Sequence, residues 1–401
     1  MEKQIRRHTL LIVAVAFSSF FALGMTNGAF AIAWGGIETD LGLMLSHSGI
    51  IIMANQIAYA LSSSMVGKLY KYTWLENIDF LGILILSVGL LGIGLSSNFF
   101  VLLMFIFIMG IGSGLIDASI STYMTQFFSS RHLNWMYVFW GVGSTLSPLL
   151  MAHMVMNTSW RYGYISLAAI LGGISIIVFV SLMLGVWNTT KDIEREKMRL
   201  EKAKNKGALK RRYLTKTWHQ VAEVFTCFLN GGLDYAFVFF TAQIMSMRLG
   251  PEAATSFTSV YYFSMMLGSL FFGWIAKWKS NMFIIRCGLT LAIIGILIVM
   301  STNSIIGMAF AGFGLGPIFP SLVHDTSNRF TPRVLSKLVG YEVAAFGAGT
   351  AIVFYLLSVL LPIIGMDKLF FISLSFAVCI FVINELLEKE RKRSKEMTAA
   401  E

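Results

Sequence analysis

An all-α membrane protein, with twelve transmembrane helices in two pseudo-symmetric six-helix bundles, is the fold class that three observations predict. The 401 residues are 56% hydrophobic and only 13% charged, a balance that excludes an ordinary soluble domain. The apolar residues fall in runs long enough to cross a bilayer, which takes about 20 residues per helix. The chain also repeats itself. Phe21, Gly24, Asn27, Ala29 and Phe30 return as Phe228, Gly231, Asp234, Ala236 and Phe237, each displaced by 207 positions. Gly110–Gly112–Gly114 returns as Gly312–Gly314–Gly316, displaced by 202. Gly141 and Gly143 return as Gly347 and Gly349, and Gly67–Lys71 as Gly273–Lys277, displaced by 206. Four matches in one order at nearly one offset indicate a duplicated helical unit, the usual ground plan of a solute transporter.

In chain order the predicted spans are 9–35, 48–67, 79–97, 99–125, 132–156 and 161–187, then 217–247, 252–276, 281–301, 304–327, 337–361 and 367–387. The first is too long for a cleavable signal and is expected to remain as a span. In the fourth, Gly110, Gly114, Asp117 and Ser121 form one small, polar stripe on a helix otherwise rich in Leu, Ile, Phe and Met. Pro148 in the fifth and the Gly316–Pro317–Ile318–Phe319–Pro320 segment in the tenth predict bends, because proline removes a backbone donor. The resulting organisation is a first bundle over 1–187, a cytoplasmic linker over 188–216, a second bundle over 217–387 and a cytoplasmic tail over 388–401. The linker's acids and bases alternate at helical spacing, which fits a surface helix or a solvated tether.

The net charge of +10 invites a nucleic-acid reading, but the location of the charges argues otherwise. With the N-terminus in the cytoplasm, 27 of the 31 basic residues fall on the inner side, eleven of them between Lys191 and Lys216. This is the positive-inside bias. It predicts a multi-pass protein of the cell membrane with both termini cytoplasmic and anionic lipid heads as neighbours; no nucleic-acid partner is expected. Cys227, Cys287 and Cys379 lie in separate spans without metal or redox spacing, so no metal and no cofactor are expected.

Asp117 and Asp234 are the acids that fall well inside spans, in the fourth and the seventh. An ionised carboxylate at mid-membrane costs about 2.5–3.5 kcal/mol on insertion scales, so it marks function or a permanent pairing between helices. An acid neutral on one side and ionised on the other is what proton coupling requires, and these two are the candidate proton carriers, Asp117 first. Glu223, Arg286, Asp325, Arg329 and Glu342 sit nearer the inner ends and read as interface or ion-pair residues. Neutral polar and aromatic side chains supply the candidate solute contacts: Asn27, Gln56, Asn134, Trp140, Tyr235, Gln243 and Tyr261, with Asn55 and Tyr262 beside them. Amides with aromatic faces suit a sugar-like polyol and equally a greasy drug. The same residues also serve as interhelical glue and interface anchors.

The sequence resembles the major facilitator superfamily along its whole length: the six-plus-six layout, the basic central loop, Trp160–Arg161–Tyr162–Gly163–Tyr164 opening the sixth span, and the loop motif at Gly67–Lys71. More narrowly it is similar to the fucose and glucose proton-symporter branch, through Gly110 to Asp117, Leu133 to Pro148 and Gly314 to Pro320. That resemblance implies an acid after the glycine run of span four, where Asp117 stands, and in some members an acid after a glycine in span seven, where Asp234 stands. Ser121 replaces the branch's asparagine, Asn27 an acid, and Ser269 an arginine.

The expected function is alternating-access transport of a small polar solute, a sugar among the candidates, coupled to a proton or to sodium, by a monomer. A proton-driven exporter of amphipathic compounds is the alternative; against it, the span-four arginine and the compact span-five glycine–proline pattern of such exporters are missing. A transporter-like sensor or receptor is a further alternative. No nucleophile–base pair or metal cluster supports an enzyme.

Overall fold

A computed structural model describes residues 2–70, 72–127, 130–187, 217–330 and 332–399, with side chains placed except at 2–9, 125–127, 130–134, 327–328, 332–337, 339 and 394–399. The predicted linker lies outside the described residues. In the first half the helices are α1 (Glu2–Gly24), α2 (Ala29–Leu41), α3 (Leu45–Leu69), α4 (Leu75–Leu95), α5 (Phe99–Phe127), α6 (Ser130–Asn157) and α7 (Trp160–Met183). In the second they are α8 (Thr217–Leu249), α9 (Pro251–Ile275), α10 (Asn281–Thr302), α11 (Ile305–Leu315), α12 (Ile318–Arg329), α13 (Pro332–Ile364) and α14 (Lys368–Ala399). Among the described residues there are no strands.

Among the described residues eleven stretches are long and apolar enough to cross a membrane, with α1–α2 and α11–α12 each counting as one. The helix missing from that set is α9, 25 residues long, which carries Thr255, Thr258, Ser259, Tyr261, Tyr262 and Ser264 on buried positions. Its polarity comes from the face it turns inward. Elsewhere the outer surface is greasy, with Leu84, Leu91, Ile176, Ile177, Phe179, Leu356 and Ile363 exposed along the helices, a distribution suited to lipid.

The first predicted span is not one helix. It breaks between Gly24 and Ala29, where Gly28 has φ 46°, a left-handed backbone conformation that favours glycine. The tenth breaks at Gly316–Pro317, as its prolines require. By contrast α6 runs unbroken through Pro148, whose ring packs where a side chain on Gly28 would lie. The proline ring therefore packs against the break in the neighbouring span.

The sequence repeat returns as repeated contact. A methyl group on Gly24 would strike the carbonyl of Trp140, and one on Gly231 the carbonyl of Phe346. Gly143 lies on the carbonyl of Phe21 as Gly349 lies on that of Phe228. Ser144 donates to the Gly24 carbonyl (3.2 Å) and Thr350 to the Gly231 carbonyl (3.0 Å). Gly110 and Gly114 rest on the carbonyls of Asn55 and Tyr59, while Gly312 and Gly316 rest on those of Tyr261 and Met265. Small residues replace side-chain packing with backbone contact, the main source of helix adhesion where lipid offers no hydrophobic drive.

Gly231→Ala should therefore force α8 and α13 apart and destabilise the protein by about 1–3 kcal/mol. Gly173→Ala, at a helical glycine with open space around it, should be neutral or stabilise by up to about 1 kcal/mol. Thermal unfolding of the two purified variants in one detergent checks the contrast.

Candidate functional site

The break between α1 and α2 is held in place from within and from α6. The Thr26 hydroxyl donates to the Leu23 carbonyl (2.8 Å), the Asn27 amide reaches the same oxygen (3.4 Å), and Ser147 donates to the Asn27 carbonyl (3.1 Å). Unwound backbone in a membrane protein is tolerated where it lines a cavity, and a cavity of about 50 Å³ opens here. Its wall is formed by Thr26, Asn27 and Phe30 at the break, Ile51, Ile52, Asn55 and Gln56 of α3, and Ile106, Met109 and Ser113 of α5. Tyr164 of α7 closes it on the first-half side and Tyr235 of α8 on the other.

Each mid-span acid is paired with a tyrosine. One turn beyond Ser113 on α5, Asp117 accepts from the Tyr59 hydroxyl of α3 and from Ser121 (3.1 Å). Tyr137 of α6 is hydrogen-bonded to Ser121 and lies within electrostatic reach of Asp117. On α8, Asp234 accepts from the Tyr261 hydroxyl of α9. Among the described residues neither acid has a cationic partner. A phenol compensates part of the cost of burying a carboxyl while leaving the acid free to take a proton, which a permanent Lys or Arg partner would oppose.

Of the seven nominated contact residues, Asn27, Gln56 and Tyr235 line the cavity. Tyr261 serves Asp234 instead. The Gln243 amide donates to the Ala31 carbonyl (2.8 Å), tying α8 to α2. Trp140 makes an edge contact with Tyr262 at 6.2 Å, joining α6 to α9. The Asn134 side chain lies outside the described residues. Tyr59 escaped sequence reading although it lies one turn from Asn55 and Gln56 on α3; a lone tyrosine in an apolar helix carries no signal until α5 is laid beside it.

Two further buried polar groups were also missed or underrated. Asp79 of α4 is fully buried and accepts from Ser19 of α1 (2.8 Å). Arg329, expected to form only a local pair with Asp325, is fully buried and bonds Glu223 of α8 at 2.6 Å as well. Arg286 pairs with Glu385 through two bonds, at 2.5 and 2.8 Å.

The two halves meet chiefly through α3 with α13 and α6 with α9, and the first contact is lopsided. Near the start of α3, Gly49 lies directly on Tyr355 and Ser358 of α13, and Phe30 stacks on Phe239 at 5.5 Å. Further along, a methyl on Gly347 would find Gln56 at 3.9 Å and no other described atom within 4 Å. On Gly67 or Gly340 it would meet nothing within that range among the described residues. The two halves are in direct contact at the end where α2 passes into α3.

Comparison with known proteins matches residues 15–341 to the family model described as the Major Facilitator Superfamily. Among solved structures, one described as a D-xylose-proton symporter superposes with a TM-score of 0.71 over 95% of this chain and 97% of its own, at 14% sequence identity. No curated protein sequence matches.

The shut end is open to direct test. Gly49→Cys combined with Ser358→Cys should crosslink readily under mild oxidant, and a crosslinked protein should bind no solute from that side until reduced. Failure of the pair to crosslink in the solute-free protein, read by gel mobility after cleavage of the linker, would contradict this closure.

Proposed function

Because the chain belongs to the Major Facilitator Superfamily, we propose that this membrane transporter has twelve spans in two six-helix bundles, residues 1–187 and 217–387, and is a proton-coupled symporter of a small polar solute, with sugars first among the candidates. Both termini lie in the cytoplasm on this reading, so the closed contact where α2 passes into α3 faces outward. The observation that carries it is the pair of uncompensated acids, Asp117 with Tyr59 and Asp234 with Tyr261, placed on helices that also wall an amide- and tyrosine-lined cavity. The likeness to a D-xylose-proton symporter in overall fold supports the same class of solute.

The geometry suggests how such coupling would run. Solute hydroxyls are bound by Asn27, Asn55 and Gln56, with ring faces against Phe30, Tyr164 and Tyr235. At about 10–15 Å³ per water, the cavity holds a few water molecules, so a sugar enters only as the halves rock apart. Asp117 lies one turn from the cavity's Ser113 on α5 and is bonded to α3, which contacts α13 of the other half. Protonation of Asp117 removes a charge from the moving interface, so the loaded carrier reorients with no net ionised acid buried there. Asp234 occupies the corresponding place in the repeat to Asn27 and is the second carrier.

In proteoliposomes with an inward proton gradient, uptake should rise as the outside is acidified at fixed inner pH. Asp117→Asn should abolish accumulation against a gradient and keep solute exchange at least partly intact, with Tyr59→Phe weakening both the coupling and the pH response. A thermal-shift screen across sugars, organic acids, nucleosides and drugs identifies the solute first: at 100 times its dissociation constant a ligand adds about 2.7 kcal/mol of apparent stability. An Asp117→Asn protein that still concentrates solute would refute the assignment of that residue. Uptake that follows sodium in place of protons would replace the coupling ion.

A further inference from the structure

A third polar cluster lies apart from both acid–tyrosine pairs, at the end of the second half where α8 starts and α12 and α14 finish. Its centre is Arg329 of α12, 0% exposed. The guanidinium donates to Glu223 of α8 at 2.6 Å and to Asn384 of α14 at 3.2 Å, and its Nε lies 2.8 Å from Asp325. Beside it, Thr326 places its hydroxyl 2.7 Å from Glu342 Oε1 of α13, 3.5 Å from Glu223 Oε1 and 3.1 Å from the Leu322 carbonyl. One hydroxyl proton cannot satisfy three acceptors.

Glu342 is itself 0% exposed, and among the described residues its second oxygen, Oε2, has no hydrogen-bond partner. Among the described residues no lysine or arginine forms an ion pair with it. Three carboxyl groups thus face one guanidinium in a dry setting. The remaining surroundings do not correct the imbalance. Cys227 of α8 approaches Glu342. Glu388 of α14 adds another acid near Arg329 but is paired with Arg391 at 2.8 Å. From α10 the approach to Arg329 is the Met282 sulfur at 3.9 Å. No group of three or more His, Cys, Asp or Glu among the described residues is placed to hold a metal ion, and an ionised, unpaired carboxylate in such a place is strongly disfavoured.

We propose that Glu223, Asp325, Arg329 and Glu342 form a further proton-binding site, distinct from Asp117 and Asp234, in which Glu342 carries the proton in this conformation. Neutral Glu342 donates from Oε1 to the Thr326 hydroxyl, which then has its own proton for Glu223 or the Leu322 carbonyl, and the surplus of acceptors is resolved. The cluster then holds two carboxylates against one guanidinium. Release of the proton to water leaves three, one each on α8, α12 and α13. Repulsion among them favours moving α13 away from α8 and α12. Because α13 is also the helix that contacts α3 of the other half, the proton on Glu342 biases how the two halves meet. This site requires only the buried cluster and stands whether or not Asp117 couples transport.

Infrared spectroscopy of the full-length purified protein tests it directly. The difference spectrum of wild type minus Glu342→Gln at neutral pH should contain the carbonyl stretch of a protonated carboxylic acid, shifted on deuterium exchange; the band of any other protonated carboxyl group cancels. The band should survive in the Asp117→Asn, Asp234→Asn double variant. Where Glu342→Gln does not fold, Thr326→Val should move the same band by removing its hydrogen-bond partner. Absence of the band from the difference spectrum, its loss in the double variant, or its indifference to Thr326→Val overturns the proposal. A band present in a protein whose uptake ignores proton gradients would sink the symport reading and support this one.

Discussion

Backbone lying directly on backbone is the constraint from which the rest of this molecule follows. At Gly24, Gly143, Gly231 and Gly349 the neighbouring helix's carbonyl occupies the space that a Cβ would need. Lipid tails are as apolar as leucine, so helices in a bilayer gain little by hiding grease from one another and gain more by close packing and shared polar contacts. Ser144 and Thr350 add a hydroxyl bond to the carbonyls of Gly24 and Gly231, one in each half. Helices joined this way move as blocks. The contact between α3 and α13 is glycine-tight at Gly49, which lies on Tyr355 and Ser358.

The placement of the polar groups follows those blocks. Asp117 and Tyr59 join α5 to α3, and Asp234 and Tyr261 join α8 to α9. In each case the bond stays within one half and is carried on a helix that faces the other half or leads to one that does. The cavity takes residues from both halves, since Tyr235 belongs to α8 and the other lining residues precede it. A solute bound there touches both blocks, which is what rocking about a central site requires. The Arg329 cluster is placed differently, wholly among the second-half helices α8, α12, α13 and α14.

Much of the fold was legible in the residues because a membrane constrains sequence harshly. Long apolar runs have to be helices, as each backbone group must find its partner within the segment. The glycine matches at offsets of 202 to 207 mark contacts that recur in space. The kink at Gly316–Pro317 follows from proline chemistry. The break at Gly28 was not legible, because Pro148 is the obvious breaker and its ring packs against the neighbouring span; nothing local to residues 24–28 says that a ring from α6 will fill the space beside them. Likewise α9 reads as a modest span on composition because its polar residues face inward.

By itself the sequence determined the class of protein, the repeat, the bent tenth span and the two acids that a bilayer tolerates only for cause, since each of these is a property of one helix in lipid. Only the tertiary structure decided which partner each acid has, that Asn27, Gln56 and Tyr235 share a cavity while Gln243, Trp140 and Tyr261 bind other helices, and that Arg329 is the centre of a buried cluster. Those facts depend on which helix faces lie against one another across separations of 27 to more than 200 residues. A helical period says which residues share a face; it does not say what that face will meet.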